Sequence, residues 1–143
     1  MGDISFAYLN SWTKELLYTR AGPEFGPELE GKILIIQKAL YGAKGSASAW
    51  YLRFADHARG HGFRICKTDK SVWYLYDEKT DLYTYLASHV DDYYLTGPLA
   101  IKADSDIKKV WTTGKIDPEI PSLYIGINMS PCLLYTSPSP RDS

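Results

Sequence analysis

The sequence predicts an α+β domain with a largely antiparallel sheet and helices packed against it. Three short segments rich in aromatic and β-branched residues, 72–76, 82–90 and 93–96, follow one another with only turns between them. Apolar residues at helical spacing occupy the segment 46–59. Strands joined by tight turns pair antiparallel, and a helix with one apolar face needs a sheet or another helix to cover it. No internal repeat interrupts this pattern.

Composition sets limits on the class of protein. The chain has 143 residues, of which 45% are hydrophobic and 23% charged, so it is one globular domain or a piece of one. A net charge of −1 excludes a basic nucleic-acid arm as the whole function, although a local basic groove is compatible with it. No apolar run is long enough for a membrane span and no signal peptide opens the chain. Two cysteines, Cys66 and Cys132, indicate a reducing compartment rather than a disulfide framework.

The first half of the chain is expected to contain two strands and a loop. The apolar run 3–9 is interpreted as a strand or the end of one, and Gly and Pro mark 21–27 as a loop. The segment 32–37 is β-branched and follows Gly31, which predicts a buried strand.

The first helix is predicted to begin at Ser46 or Ser48, which are good N-caps, and to run to Arg59. Gly60 and Gly62 are expected to end it. Its apolar face consists of the following residues: Ala47, Trp50, Phe54 and Ala58. The aromatic members of this face, like Trp111 further on, are expected in the core.

The second half is expected to contain three strands, a helix and a last strand. The strands 72–76 and 82–90 flank a turn at 77–81, and Gly97 and Pro98 stop the strand 93–96. A helix capped by Asp104 or Ser105 would carry these apolar residues: Ile107, Val110 and Trp111. The final strand is predicted over 123–127.

The C-terminal residues differ in character from the rest. Residues 132–142 match one reading frame of a transposase adapter used in sequencing libraries, and the alternative is a natural Ser/Pro-rich tail. We therefore divide the chain into a domain of residues 1–130 and a non-native, adapter-like tail of residues 131–143. Deleting the tail is expected to leave the free energy of unfolding unchanged within about 0.5 kcal/mol.

Two adjacent carboxylates, Asp91 and Asp92, lie between two strand-like runs and so at a hairpin tip. Turn chemistry alone could account for them. Adjacent anions, however, raise each other's pKa unless a cation is shared, and oxygen ligands of this kind suit Mg²⁺ together with substrate phosphates. Asp3, at a neighbouring strand end, is the candidate for a third ligand. A small metal-binding hairpin domain would explain this pair as well.

Four blocks of the sequence, in order, resemble the copia-type retrotransposon reverse transcriptases. Residues 3–10 are similar to the first catalytic motif of that family, an Asp followed by an Ala-aromatic-Leu-Asn run. Residues 38–51 resemble its Lys-Ala-Leu-Tyr-Gly block, residues 89–92 its Tyr-Val-Asp-Asp box, and residues 124–127 its late Phe-Leu-Gly-Ile strand.

The resemblance implies the palm and part of the fingers of a right-hand polymerase, with these site residues. Asp3, Asp91 and Asp92 would be the catalytic ligands of two Mg²⁺ ions, with Mn²⁺ as an alternative. The substrate-binding residues would be Tyr8 beneath the incoming sugar, Gly42, Lys44, Gly45 and Ser46 along the nucleotide and template, and His89 near the primer end. The primer grip would comprise Tyr124, Ile125 and Gly126.

The same resemblance implies the partners: an RNA or DNA template-primer, a dNTP and the rest of a Pol polyprotein, but no membrane. It also implies a cytoplasmic location in the virus-like particle of the element. Two residues depart from the family pattern, since His89 replaces the usual Tyr and Gly45 the usual Gln. The upstream fingers and the downstream thumb and RNase H are expected to be missing, so the isolated chain is predicted to be inactive. The alternative to an RNA-directed DNA polymerase is a truncated relic that binds nucleic acid weakly.

Overall fold

The computed structural model describes residues 1–114, together with 123–124 and 127–128. The strands and helices have the following bounds: β1 Gly2–Asp3, β2 Trp12–Arg20, β3 Ile33–Lys38, α1 Ser46–Gly60, β4 Arg64–Ile65, β5 Val72–Asp77, β6 Leu82–His89, β7 Asp92–Thr96, α2 Ala100–Val110, β8 Leu123–Tyr124 and β9 Ile127–Asn128. Short 3₁₀ turns occupy Ala7–Asn10 and Pro23–Phe25. Neither helix of the described part is long and apolar enough to cross a membrane.

A five-stranded antiparallel sheet forms the centre of the fold, with strand order β1-β7-β6-β5-β4. β5, β6 and β7 follow one another in sequence, and the connections between them are only four and two residues long. Because these connections are short, each strand pairs antiparallel with the next. β1, from the other end of the described chain, adds to the outer edge of β7. The predicted α+β class and antiparallel sheet are confirmed.

Both helices contribute to a core on one face of the sheet. Side chains alternate between the faces of a strand, and Tyr93 and Leu95 of β7 share the covered face with Leu86 of β6 and Trp73 of β5. Helix residues complete the cluster: Trp50, Phe54 and Ala58 from α1, and Ala103 and Ile107 from α2. The register therefore places Asp92, directly opposite both Asp3 and His89, on the other face.

The strand predicted over 32–37 is present as β3, but the prediction that it is buried is wrong. Among the described strands β3 pairs only with β2, in a separate two-stranded ribbon that the sequence analysis did not foresee. Ile33 is 58% and Ile35 65% exposed. A two-stranded ribbon buries side chains only on the face that meets the rest of the fold, so half of an apolar strand can remain in solvent.

α1 begins at Ser46, as predicted, but the serine cap predicted for it is absent, and at α2 both the predicted start and the predicted cap are wrong. Gly45 occupies the N-cap of α1, and the Ser46 hydroxyl is buried without a partner in the described part of the chain. α2 begins at Ala100, four residues before Asp104. There the backbone N–H of Leu99 donates to the buried Thr84 hydroxyl at 2.9 Å, so a strand residue takes the capping role that local sequence assigned to the helix itself.

The single strand predicted over 123–127 is also wrong. β8 and β9 are two short strands paired antiparallel, with Tyr124 opposite Ile127. Residues 125–126 lie outside the described residues.

A histidine pair joins the end of α1 to α2. The His57 and His61 rings lie 4.3 Å apart, His57 contacts Trp111 at 4.7 Å, and His61 faces Asp106 of α2 at 3.8 Å. Burial, and then the neighbouring His61, lower the pKa of His57 below its ordinary value, and Asp106 opposes this shift only in part. The folded chain therefore favours neutral His57.

Acidification is expected to destabilise the protein through His57. Its pKa is lower in the folded than in the unfolded chain, so the stability it contributes is complete above the unfolded pKa of about 6.5 and is lost as the pH falls from there through the folded pKa. The melting temperature should therefore fall as the pH drops below about 6.5. His57→Gln should flatten this dependence, and an unchanged slope in that variant would contradict the role of His57.

Candidate active site

The turn between β6 and β7 carries Asp91. Val90 and Asp91 are its two central residues, and Val90 has a φ of 52°, a left-handed conformation that β-branched residues rarely adopt. Two hydrogen bonds hold the turn. The Trp50 indole N–H donates to the Val90 carbonyl, and the Ile4 backbone N–H donates to the Asp91 carbonyl at 2.8 Å. The turn is thus fixed from α1 and from the residue that follows β1.

Asp3 lies between two backbone segments. On one side β1 pairs with β7, so that Asp3 faces Asp92 across the ladder. On the other side the Gly114 N–H donates to the Asp3 carbonyl at 2.8 Å. A Cβ at Gly114 would lie 3.1 Å from the Asp3 carboxylate, so glycine there leaves room for this side chain. The structure thus places Asp3 and Asp92 opposite each other at one end of the sheet, with Asp91 in the adjacent turn.

The electrostatics of Asp3 reflect this proximity. Burial, followed by the negative charges of Asp91 and Asp92, raises the pKa of Asp3 above its ordinary value. Burial, followed by the negative charges of Asp91, Tyr8 and Asp3, also raises the pKa of Tyr41 above its ordinary value. A bound cation would relieve the repulsion among the carboxylates.

The donors fit Mg²⁺ in type but do not form a complete cage. Carboxylate oxygens are its preferred ligands, and the three aspartates supply them within one coupled group. Among the described residues, no group of three or more His, Cys, Asp or Glu side chains is arranged to hold a metal ion by itself.

His89 ends β6 directly opposite Asp92, and its side chain is exposed. An antiparallel pair in register places both side chains on one face, so His89 borders the aspartate group on the open side of the sheet. Its predicted contact with the primer end stays a prediction.

Tyr8 lies in the 3₁₀ turn that follows β1. Phe6, at a φ of 54°, reverses the chain, and the Asn10 amide secures the reversal by donating to the Ser5 and Phe6 carbonyls, each at 3.1 Å. The Tyr8 ring packs against Tyr41, with ring centroids 4.5 Å apart and an interplanar angle of 31°.

Tyr41 is a site residue that sequence reasoning did not single out. Tyr41 is 57% exposed, its ring packs against that of Tyr8, and the negative charges of Asp91 and Asp3 act on its hydroxyl. The sequence did contain a signal for Tyr41, because it lies next to Gly42 in the block 38–51 that resembles the family.

The residues predicted to lie along the nucleotide and template are in the loop that leads into α1 and at the first position of that helix. Gly42 adopts a φ of 89°, which favours glycine. A Cβ at Gly45 would come within 2.7 Å of the Glu15 carboxylate, so Glu15 would have to move to admit the family's usual Gln. Lys44 is exposed and Ser46 is buried at the first helical position.

Of the predicted primer grip, Tyr124 belongs to β8, and Ile125 and Gly126 lie outside the described residues.

Comparison with known proteins decides the family. The family model described as "Reverse transcriptase (RNA-dependent DNA polymerase)" matches residues 1–130. The chain belongs to this reverse transcriptase family.

Curated relatives of this reverse transcriptase chain are yeast retrotransposon proteins. The truncated transposon Ty1-A Gag-Pol polyprotein and the transposon Ty1-DR4 Gag-Pol polyprotein of Saccharomyces cerevisiae are each 45% identical to it over 49 residues. These alignments cover 34% of the chain but only 4% and 3% of the relatives. The resemblance to copia-type retrotransposon reverse transcriptases is confirmed. No solved structure matches the chain.

Proposed function

We propose that this reverse transcriptase chain carries the catalytic centre for transfer of a nucleotide from a dNTP to the 3′-hydroxyl of a primer on an RNA or DNA template. The observation that carries the proposal is the pairing of Asp3 with Asp92 beside the turn that holds Asp91. In a chain of this family, three coupled carboxylates at one sheet end are suited to two Mg²⁺ ions, or Mn²⁺, together with the nucleotide phosphates.

The bound ions would supply Lewis-acid chemistry, lowering the pKa of the attacking hydroxyl and stabilising charge on the phosphoryl group. The chain's own residues position the reactants. The hydrogen bonds to the Val90 and Asp91 carbonyls fix the turn that carries Asp91. Lys44, together with the N-terminal end of α1, would offer positive charge to a triphosphate or template phosphate. His89 would lie by the primer end, and Tyr124, Ile125 and Gly126 would grip the primer.

The Tyr8–Tyr41 pair is suited to the floor of the sugar site. The two rings pack against each other at a tilt of 31°, and Asn10 fixes the backbone that carries Tyr8. A ring packed under a 2′-deoxyribose leaves no room for a 2′-hydroxyl, so ribonucleotides would be rejected by a steric clash.

Replacing Tyr8 with Ala is expected to admit ribonucleotides while deoxyribonucleotide incorporation stays within about tenfold, or roughly 1.4 kcal/mol in the transition state. The measurement is single-nucleotide incorporation of dNTP and rNTP by a complete reverse transcriptase carrying this segment. Tyr18→Ala, which removes an exposed ring from β2, is the matched control and should leave sugar discrimination unchanged. Unchanged discrimination in an active Tyr8→Ala enzyme would return Tyr8 to a packing role.

Primer extension tests the proposal itself. The segment 1–130 is placed in a complete reverse transcriptase of this family in place of the matching segment, and extension is followed on an RNA template. Extension supports the proposal, whereas a folded but inactive protein supports the alternative, a relic that has lost catalysis. In an active element the centre would operate within the Pol polyprotein, in cytoplasmic virus-like particles.

A further inference from the structure

We propose that Trp50 is a positioning residue: its indole N–H holds the Val90–Asp91 turn and thereby sets where the Asp91 carboxylate lies. This role rests on the proposed function, because the position of Asp91 matters only if Asp91 takes part in the site. The contact that carries it is the hydrogen bond from the Trp50 indole to the Val90 carbonyl, across forty positions of sequence.

The turn needs an external tether. Val90 is β-branched and its φ of 52° is costly, so this geometry persists only where the surroundings impose it. Val90 is 36% exposed, so its packing against the rest of the fold is incomplete. A cavity of about 150 Å³ lies under the turn, lined in part by Tyr8, Trp50, His89 and Val90. Hydrogen bonds to the Val90 and Asp91 carbonyls therefore add a constraint that incomplete side-chain packing does not supply.

Trp50 is well placed to provide the tether. Its side chain is 3% exposed and is held between Phe54, at 5.9 Å, and Trp111, at 5.3 Å between ring centroids. A ring fixed in the core by two aromatic neighbours gives its N–H a defined direction. The Ile4 N–H bond to the Asp91 carbonyl then holds the other half of the turn.

The chain supplies its own matched controls. Trp73 and Trp111 are also buried, but their indole N–H groups have no hydrogen-bond partner within the described residues. Tryptophan-to-phenylalanine substitution removes an N–H and shrinks the ring at every site, and only at Trp50 does it also remove a bond to the hairpin. Trp73 is the better control because its ring contact is with Tyr51 rather than Trp50.

The test compares wild type, Trp50→Phe and Trp73→Phe by NMR on the whole chain. The first readout is amide hydrogen exchange of Ile4, whose N–H bonds to the turn, relative to Leu86 in the middle strand, which corrects for global stability. We expect this ratio to rise at least tenfold in Trp50→Phe and to stay within twofold in Trp73→Phe. The second readout is the broadening of amide signals around Asp91 by Mn²⁺, which gives an apparent affinity for Mn²⁺. We expect this affinity to fall about fivefold in Trp50→Phe and to stay unchanged in Trp73→Phe.

An equal exchange ratio in the two variants, or unchanged Mn²⁺ affinity in Trp50→Phe, overturns the positioning role. Absence of Mn²⁺ binding in wild type instead contradicts the proposed function, and the exchange ratio still decides whether Trp50 tethers the turn. If Trp50→Phe fails to fold, the hydrogen exchange rates of the indole N–H protons in the wild-type protein decide whether Trp50 tethers the turn. Slower exchange at Trp50 than at Trp73 and Trp111 supports the tether, and equal rates overturn it.

Discussion

Asp3→Asn, in a complete reverse transcriptase carrying this segment, is expected to lower the rate of nucleotide incorporation by about a thousandfold or more, because a charged metal ligand is replaced by a neutral one. The same change should not destabilise the fold. The pKa of Asp3 is raised in the folded chain, so above that pKa the ionised side chain opposes folding, and a neutral amide removes the repulsion from Asp91 and Asp92.

Stability and activity should therefore move in opposite directions. Without divalent ions the melting temperature of Asp3→Asn should equal that of the wild type or exceed it by about 1–2 °C at pH 7, and the difference should vanish in acid, where Asp3 is protonated. Asp56→Asn, at an exposed position of α1, serves as the control and should retain activity. A stable Asp3→Asn enzyme with near-normal incorporation would contradict the assignment of Asp3.

Gly2→Ala is expected to detach β1 from the sheet and so to separate Asp3 from Asp92. Gly2 is buried opposite Tyr93, and a Cβ there would lie 2.2 Å from the Tyr93 ring. Tyr93 has little freedom to move, because it is fully buried and its hydroxyl donates to the Asp104 carboxylate at 2.7 Å. Overpacking of this kind costs about 1–3 kcal/mol.

The Gly2→Ala effect can be localised by hydrogen exchange. The amides of β1, and that of Ile4 beyond it, should lose protection by more than the global loss of stability explains, while β5 and β6 keep theirs. Gly60→Ala is a matched control, because a Cβ at Gly60 would meet nothing within 4 Å. Uniform loss of protection across the sheet would show that β1 is not a separable element.

The meander β5-β6-β7 and the helix α1 could be predicted from sequence because local patterns determine them. Short connections force neighbouring strands to pair, and the spacing of Trp50, Phe54 and Ala58 defines one helix face. The aspartate group followed from the hairpin tip and from the resemblance of four blocks. Asp3 joins this group through β1, a strand of only two residues, which periodicity alone would not detect.

The remaining features depend on tertiary contacts between distant residues. Thr84 satisfies the start of α2 from a neighbouring strand, Tyr41 reaches Tyr8 across 33 positions, and the Trp50 indole bonds to Val90. Trp50 was expected to be an ordinary core residue, since helical spacing reports burial but not hydrogen bonding. The exposed face of β3 was missed because an apolar run does not reveal how many layers will cover it.

Mn²⁺-induced line broadening in the NMR spectrum of this chain tests the central claim most directly, that Asp3, Asp91 and Asp92 form one metal-binding group. We predict that low Mn²⁺ concentrations broaden the amides around these three residues first, that Mg²⁺ reverses the effect, and that Asp3→Asn and Asp91→Asn each weaken it while Asp56→Asn does not. Uniform broadening at every exposed carboxylate, unaffected by Asp3→Asn, would contradict the account.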